Sequence, residues 1–355
     1  MADPLSRIAT RAVYGARQLG RVAWYVGHRE IMRWLAQEAR RRSGETVRPR
    51  TRGAVRVPDR WRLYADMAEL FRQDLTNVES GIYPLPADHD SWPTRIERSR
   101  LFFIDLPRVY QRRERGERRE VVTAETRGRR PEYYLQNFHF QSGGWMTEDS
   151  AKRYDTQVEV LFNGSASAIR RQALPPLSEI FAGRDQRGLR LMDIGCGTGR
   201  FLDFVKQVWP RLPVIGIDMS EAYIAEARRY LRRRGWLRLV VGKGEAIPVG
   251  DESQDALTSI FVFHELPPDI RRAAFLEFAR VLKPGGRLVI VDSLQLGDEP
   301  DYDDMLELFP QGFHEPYYAS YVREDFGEIA RACGLMHRRD VRAYVSKVMV
   351  FDKPA

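Results

Sequence analysis

The stretch LMDIGCGTGRF, residues 191–201, combines an acidic residue, three closely spaced glycines and the start of a helical pattern. Gly195, Gly197 and Gly199 follow a G-x-G-x-G spacing. A dinucleotide-binding turn would need glycine where the chain has Arg200, and a P-loop would need Gly-Lys-Ser/Thr. The turn therefore suits a ligand without a pyrophosphate, bound by backbone amides at a helix N-terminus, with glycines because a Cβ would block the approach.

A second acidic residue, Asp218, defines more of the ligand. It follows the β-rich run PVIGI, which places it at the carboxyl end of the second strand. A carboxylate at that position can accept hydrogen bonds from both hydroxyls of a ribose. Together, the glycine turn and Asp218 predict a site for an adenosine-like ligand.

Short β-rich runs alternate with helical runs from residue 189 onward. In order, they are LRLMDI, FLDFVKQVW, PVIGID, EAYIAEARRYLRRR, LRLVVG, ALTSIFVF, a helix from Pro268 to Leu282, and RLVIVDS. The chain ends with a helical run, FGEIARACG, and a β-rich run, YVSKVMVFD. This alternation predicts an α/β fold, in which a parallel sheet carries helices on both faces.

These motifs, taken in order, resemble those of class I S-adenosylmethionine-dependent methyltransferases. The matching set is DIGCGTG, GIDMS, GEAIPVGDESQDAL, FVFHEL and RVLKPGGRLVIVD, and it covers residues 140–355. Within that superfamily the chain is most similar to the small-molecule enzymes of the ubiquinone/menaquinone type. The resemblance implies a Rossmann-like, seven-stranded sheet with helices on both faces, preceded by a mainly helical N-terminal region. It also implies S-adenosyl-L-methionine as cofactor.

The resemblance assigns eight residues to that cofactor. They are Asp193, Gly195, Gly197 and Gly199 around the methionine part, Asp218 at the ribose, Met219 on the adenine face, and Glu245 and Phe261 beside the purine edge and the methyl group. Relatives often have an aspartate where this chain has Lys243, which we interpret as a solvent-facing loop residue. Either Glu245 or a backbone group then binds the purine edge.

The predicted acceptor site is rich in aromatic residues. The segment FPQGFHEPYYASY lies in a cap near residues 294–322, and a second cluster precedes the first strand. The candidate substrate-binding residues are His139, Phe313, Tyr317 and Tyr318. Such a density of rings suits a hydrophobic or aromatic acceptor, lipid-like or quinone-like, although a packed connector whose tyrosines bond to the backbone would look the same.

The reaction implied is direct in-line transfer of the sulfonium methyl group, in which the enzyme positions and desolvates the reactants. A base is needed only where the acceptor must lose a proton, and the candidates are His264, His314, Glu315 and Tyr154. As a general base, His264 would have a pKa near working pH. His264 could equally be a structural histidine. Two other classes stay open, a nucleic-acid methyltransferase and a non-catalytic scaffold. Against the nucleic-acid class, the chain lacks the Asn/Asp-Pro-Pro-Tyr/Phe tetrapeptide.

The net charge of +8 is concentrated at the N-terminus. Residues 1–53 hold twelve arginines and four acidic residues, and the rest of the chain has 45 basic and 45 acidic residues. This distribution argues against a nucleic-acid partner for the catalytic region. Residues 5–26 predict a basic amphipathic helix. That helix could pack on its own protein or on a second subunit in a homodimer, lie on a membrane surface, or serve as a targeting segment.

The apolar runs and the cysteines bear on where the protein is located. No apolar run approaches the ~20 residues of a membrane-spanning helix. Cys196 and Cys333 are the only cysteines and form no metal-ligand pattern, so we expect a reducing cytoplasm, with the protein peripheral at the inner membrane surface if the helix binds lipid. The predicted regions are a basic arm at 1–52, a helical accessory region at 53–140, and the methyltransferase domain at 141–355.

Overall fold

The computed structural model describes residues 4–43, 57–87 and 90–355. The chain divides into two compact units, each assembled from three segments. The first unit comprises Met1–Leu63, Ala87–Ala166 and Pro300–His314, and the second comprises Tyr64–Pro86, Ser167–Glu299 and Glu315–Ala355. The boundary predicted between the basic arm and the accessory region, at residues 52–53, lies outside the described residues.

Helices and strands alternate along the second half of the chain, as the sequence predicted. The α-helices of the described residues are α1 (Pro4–Ser43), α2 (Arg60–Glu79), α3 (Trp92–Arg115), α4 (Glu148–Leu161), α5 (Ala166–Arg171), α6 (Leu174–Phe181), α7 (Arg200–Val208), α8 (Glu221–Tyr230), α9 (Pro268–Val281), α10 (Asp303–Gly312), α11 (Tyr318–Tyr321) and α12 (Phe326–Ala332). The strands are β1 (Leu191–Ile194), β2 (Val214–Asp218), β3 (Leu237–Val241), β4 (Gln254–Ile260), β5 (Leu282–Ser293), β6 (Met336–Ala343) and β7 (Ser346–Asp352).

The second unit is built on one seven-stranded sheet with the order β3-β2-β1-β4-β5-β7-β6. The strands from β1 to β5 are parallel, and β7 runs antiparallel between β5 and β6. Every residue of β1 and β4 is buried, which is typical of central parallel strands covered on both faces. The predicted α/β class and seven-stranded sheet are confirmed.

Two details of the strands differ from the sequence expectation. β4 ends at Ile260, because Phe261 has a φ of 58° and so leaves the extended conformation. β6 was not predicted as a strand, because its residues MHRRDVRA are mostly charged and exposed. It forms through pairing with β7 at the edge of the sheet, where charged side chains face solvent.

The first unit is helical and contains α1, which packs on α3 and α4. The predicted helix at 5–26 is confirmed, and it continues to Ser43 despite glycines at 15 and 20. Gly164 follows α4 with a φ of 86°, and an added Cβ would lie 3.1 Å from the Arg21 carbonyl oxygen, so α1 passes very close to this turn. Among the described residues, no helix is both long enough and apolar enough to span a bilayer.

A buried ion pair joins α2 to α5 in the second unit. The Arg171 guanidinium donates to both oxygens of Asp74 at 2.9 and 2.6 Å, and the Tyr83 hydroxyl donates to Asp74 Oδ1 at 2.7 Å. The Asp74 side chain is fully buried, and that of Arg171 is 4% exposed. Removing the Asp74 carboxylate would therefore leave the charge of the Arg171 guanidinium buried without its main partner.

We expect Asp74→Ala to lower the free energy of unfolding by about 3–5 kcal/mol, because breaking one side of a buried pair leaves an uncompensated charge. Urea unfolding followed by circular dichroism measures the change. Glu69→Ala is the matched control, since Glu69 also lies on α2 and pairs with Arg72 where both side chains are exposed. The control should change the free energy by no more than about 0.5 kcal/mol. Equal effects of the two substitutions would contradict the assignment.

Candidate functional site

The glycine turn connects β1 to α7 at the carboxyl edge of the sheet. Gly195, Gly197 and Gly199 all have left-handed backbone conformations, with φ of 70°, 54° and 81°. Other residues adopt such values only with strain, so the turn requires glycine at these positions. Gly199 also serves as the residue that begins α7.

The protein's own packing is a second reason for these glycines. A Cβ at Gly195 would lie 2.4 Å from Val262 Cγ2, and one at Gly199 would lie 2.5 Å from Leu231 Cδ1. The sequence interpretation attributed the glycines to the approach of a ligand. The structure adds that two of them allow the turn to pass against neighbouring side chains.

Asp218 ends β2 beside this turn and is held by backbone donors. The Gly197 amide donates to Asp218 Oδ2 at 2.9 Å, and the Ser220 amide donates to Oδ1 at 2.8 Å. The side chain is half-buried. Burial raises the pKa of Asp218 to about 6, partly offset by the Ser220 and Gly197 amides. Each carboxylate oxygen can accept a second hydrogen bond, so vicinal hydroxyls of a ligand fit this group.

Asp193 lies on β1 and is oriented by the next strand of the sheet. Its side chain is buried, and the Thr258 hydroxyl of β4 donates to Asp193 Oδ1 at 2.6 Å. Burial raises the pKa of Asp193 to about 7, although the hydrogen bond from Thr258 works in the opposite direction. Asp193 therefore begins to take up a proton near neutral pH.

The remaining predicted cofactor residues surround the same sheet edge. Met219 and Glu245 are half-buried, and Lys243 is exposed, as expected for a loop lysine. Phe261 is buried, and the guanidinium carbon of Arg170 lies 5.4 Å from the centre of its ring. The left-handed backbone of this large residue is a strained feature at the end of β4, of the kind that clusters at functional sites.

His264 lies in a 3₁₀ turn, Phe263–Glu265, that follows β4. Its Nδ1 is 2.6 Å from Asp292 Oδ1, at the end of β5. The Asp292 side chain is fully buried, and Oδ2 also accepts the backbone amides of Phe263 at 2.8 Å and His264 at 3.3 Å. The other ring nitrogen, Nε2, lies 3.9 Å from Glu265 Oε1, which is too long for a hydrogen bond.

The surrounding charges determine the protonation of His264. Burial alone would lower its pKa, but Asp292, Glu315 and Glu265 outweigh burial and raise the pKa to about 10. Burial and the Glu265 carboxylate raise the pKa of Glu315 well above its ordinary value. At neutral pH His264 is thus a cation that donates hydrogen bonds. The expectation of a histidine pKa near working pH is wrong, because it left out these carboxyl groups.

The segment 315–324 is anchored to the same region by tyrosines and a buried arginine. Tyr318 Oη lies 2.6 Å from Ser293 Oγ, and the ring of Tyr318 is 6.2 Å from that of His264. Arg271 of α9 is fully buried and donates to the carbonyl of Tyr317 at 3.1 Å. Burial raises the pKa of Tyr318, so its hydroxyl stays protonated. Tyr317 itself is half-buried.

Four of the predicted site residues belong to the first unit: Tyr154, His139, Phe313 and His314. The ring of His139 lies 5.7 Å from that of Phe313, and 5.8 Å from the ring of Trp145, which in turn contacts Tyr154 at 5.4 Å. These residues therefore form one aromatic cluster, in which Phe313 of the predicted cap contacts residues that precede the first strand.

His314 is part of this cluster but differs from His264 in its charge. Its Nε2 is 3.0 Å from Gln136 Oε1. Burial, together with the positive charge of Arg118, lowers the pKa of His314 to about 4. The ring is neutral at neutral pH, and one of its nitrogens is already engaged by the amide.

Sequence reasoning missed Asp292, Arg271 and Thr258. Asp292 could have been found, because it ends a β-rich run in RLVIVDS in the same way that Asp218 ends VIGID. Arg271 and Thr258 had no such signal, because an arginine in a helix and a threonine in a strand are usually exposed or structural.

Comparison with known proteins agrees with the fold and the motifs. Residues 192–290 match the family described as a methyltransferase domain. The ubiquinone/menaquinone biosynthesis C-methyltransferase UbiE of Geobacter sulfurreducens is 32% identical over 151 residues, which cover 41% of this chain and 56% of that protein. The malonyl-[acyl-carrier protein] O-methyltransferase of Methylococcus capsulatus is 35% identical over 99 residues, 28% of this chain and 35% of that protein.

A solved structure adds a weaker likeness. A SAM-dependent methyltransferase from Aquifex aeolicus is 20% identical, with a TM-score of 0.42, over 59% of this chain and 99% of that one. The chain spans 56% and 35% of the lengths of the two curated relatives. Within these limits the resemblance inferred from the motifs is confirmed, because residues 192–290 match the methyltransferase-domain family and the curated relatives are methyltransferases.

The protonation of His264 can be tested directly by following its ring signals in NMR over a pH series. We expect the ring to stay protonated until the pH approaches about 10. Because its folded-state pKa is raised, its stabilising contribution is complete below the ordinary value of 6.5 and is lost as the pH rises towards about 10.

Two variants make that titration interpretable. His264→Gln identifies the signal by its disappearance, and Asp292→Asn should lower the pKa of His264, because the carboxylate that favours the cation is gone. A His264 signal that titrates near or below 6.5 in the unsubstituted protein would contradict the electrostatic account.

Proposed function

We propose that this chain is an S-adenosylmethionine-dependent methyltransferase whose acceptor is a small hydrophobic or aromatic molecule, lipid-like or quinone-like, with an anionic oxygen near the methylated atom. The observation that carries the proposal is the pair of aspartates at one edge of the sheet. Asp218 is the last residue of β2, beside the glycine turn, and Asp292, the last but one of β5, holds His264. Ligands of open α/β sheets bind outside the carboxyl ends of the strands, where both groups lie.

The residues of the second unit fit the proposed cofactor. The half-buried Asp218 carboxylate, fixed by two backbone amides, would accept the ribose hydroxyls. The left-handed turn at Gly195–Gly199 would accommodate the methionine part, and Met219 would pack on the adenine. When bound, S-adenosylmethionine supplies an electrophilic methyl group on a sulfonium, which is already an excellent leaving group. The protein therefore needs to position the acceptor and exclude water.

His264 supports the anionic character of the acceptor. As an imidazolium, it presents an N–H at Nε2 that no carboxylate on the same turn reaches within hydrogen-bonding distance. A donor with a full positive charge stabilises an oxygen anion, such as a phenolate or enolate, more strongly than it does a neutral group. In the proposed role, His264 orients the acceptor and keeps it deprotonated, and Asp292 fixes the ring.

The relatives support a methyltransferase and suggest the kind of acceptor. One is named as a C-methyltransferase of ubiquinone/menaquinone biosynthesis and another as an O-methyltransferase. The ring of Tyr318, which lies 6.2 Å from that of His264 in the second unit, favours the aromatic alternative for this chain. Because rings pack on rings, such a neighbour suits an acceptor with an aromatic head.

The cofactor assignment predicts that the purified full chain binds S-adenosylhomocysteine in calorimetric titrations, and that Asp218→Ala weakens binding by about 10- to 100-fold through the loss of charge-assisted hydrogen bonds. Asp251→Ala is the matched control, because Asp251 is an exposed carboxylate paired with Arg280. Transfer is then measured with a radiolabelled methyl group and a panel of isoprenoid phenols, quinols and RNA. Label in RNA alone, or binding that Asp218→Ala leaves intact, would refute the proposal.

The role of His264 predicts a separate kinetic signature. His264→Gln keeps a similar shape but loses the positive charge, and we expect kcat to fall by about 10²- to 10³-fold with KM little changed. His337→Gln is the control, since His337 forms a similar pair with Asp340 at 2.7 Å on the exposed strand β6. Equal losses in both variants, or a loss confined to KM, would assign His264 a structural or binding role instead.

A further inference from the structure

The outer face of α1 is apolar although it is exposed to solvent. Leu5, Ile8, Leu19 and Trp34 are 74%, 63%, 72% and 61% exposed. With 100° per residue, these four side chains fall within an arc of about 80°. The exposed alanines at positions 12, 16 and 23 fall in the same arc. The helix thus presents an apolar stripe from Leu5 to Ala23, about half of its length, and Trp34 lies in the same arc beyond the exposed Glu30.

The opposite face of α1 holds the helix on the first unit, and it combines a buried tyrosine, Tyr14, with polar contacts. Arg21 forms an ion pair with Glu159 of α4 at 2.6 Å, and Arg29 donates to Asn163 Oδ1 at 2.7 Å. His28 is buried, and its Nε2 lies 2.8 Å from Ser99 Oγ of α3. A helix of a soluble domain normally buries its apolar stripe and exposes its charges. In α1, by contrast, the apolar stripe is exposed, and Arg21 and Arg29 bind to the rest of the first unit.

Exposed tryptophans belong to the same unit. Trp34 lies at the edge of the stripe, and Trp92, at the start of α3, is 64% exposed and packs edge-to-face at 5.9 Å against Trp24, which is on another side of α1. Exposed tryptophans are typical of proteins that rest at a membrane–water interface, where the ring spans the boundary between lipid and water. Isolated exposed apolar residues need no explanation, but a stripe of this length does.

Charge identifies the partner. α1 carries nine arginines and two glutamates, a net charge of +7. Arg7, Arg11 and Arg17 are exposed and lie about 100–140° around the helix from the centre of the stripe, from where long side chains can reach head groups while the stripe contacts acyl chains. A second copy of the chain would bring the same positive charge against this face and repel it. An anionic lipid surface complements it.

We propose that α1 docks this protein on an anionic membrane surface, with Leu5, Ile8, Leu19 and Trp34 in the acyl boundary and the arginines at the head groups. This inference rests on the first unit alone and does not depend on the proposed methyltransferase activity. The contacts of Arg21, His28 and Arg29 also make α1 an integral part of that unit, which argues against a segment that is removed after targeting.

Vesicle co-sedimentation of the full chain tests the inference. Vesicles of phosphatidylcholine with about 30% phosphatidylglycerol should retain the protein, and pure phosphatidylcholine should retain much less of it. Raising the salt to about 0.5 M should release most of it, because arginine–headgroup attraction is screened. The substitution Leu5→Ser, Ile8→Ser and Leu19→Ser should weaken binding by about tenfold or more, because the apolar side chains no longer insert.

A matched control replaces exposed apolar residues elsewhere, Trp236→Ser, Leu276→Ser and Met336→Ser, which are 57%, 59% and 47% exposed on the second unit. The control should bind vesicles like the original protein, and circular dichroism should show that both variants are folded. The inference fails if the intact protein stays in the supernatant, if the two triple variants behave alike, or if light scattering shows a dimer that only the α1 variant dissociates. The last outcome would make the stripe a contact between two copies.

Discussion

A buried carboxylate must find hydrogen-bond donors, and the donors that Asp292 finds determine the shape of the candidate site. Besides the amide of the adjacent Ser293, they are the amides of Phe263 and His264 and the ring of His264, in the turn after β4. Satisfying this one group therefore folds the turn against the end of β5 and fixes the orientation of the imidazole. Without Asp292, burial would discharge the ring, and the edge of the sheet would lose its cation.

Asp218 also finds hydrogen-bond donors within the protein, but part of it stays accessible. It too lies at the carboxyl end of a strand and accepts backbone amides, from Gly197 of the glycine turn and from Ser220, but it remains half-buried. Its two internal hydrogen bonds orient the carboxylate without using all of its capacity to accept. The hydrogen bonds of the buried Asp292 are thus made within the protein, whereas the half-buried Asp218 can still accept hydrogen bonds from a ligand. The difference arises because more water reaches the end of β2 than the end of β5.

The sequence predicted those parts of the fold whose cause is local. Gly195 to Gly199 and Asp218 follow from spacing, and the central strands follow from their continuous apolar runs. β6 was missed because an edge strand made of MHRRDVRA is formed by its pairing with β7 and not by its composition. The charge on His264 was mistaken for a similar reason. It depends on Asp292 and Glu315, which are 28 and 51 positions away in the chain and come close only in the folded second unit.

The N-terminal helix shows the limit of periodicity most clearly. An amphipathic pattern reveals that a helix has two unlike faces, but it does not say which face meets the protein. In α1 the choice is made by polar partners 71 to 138 positions away, Ser99, Glu159 and Asn163, which bind the arginine and histidine side. Because those partners satisfy the polar side, the apolar side is left for another surface. A lipophilic methyl acceptor would be concentrated at that same surface, so a membrane-docked helix would place the protein where its proposed substrate is most abundant.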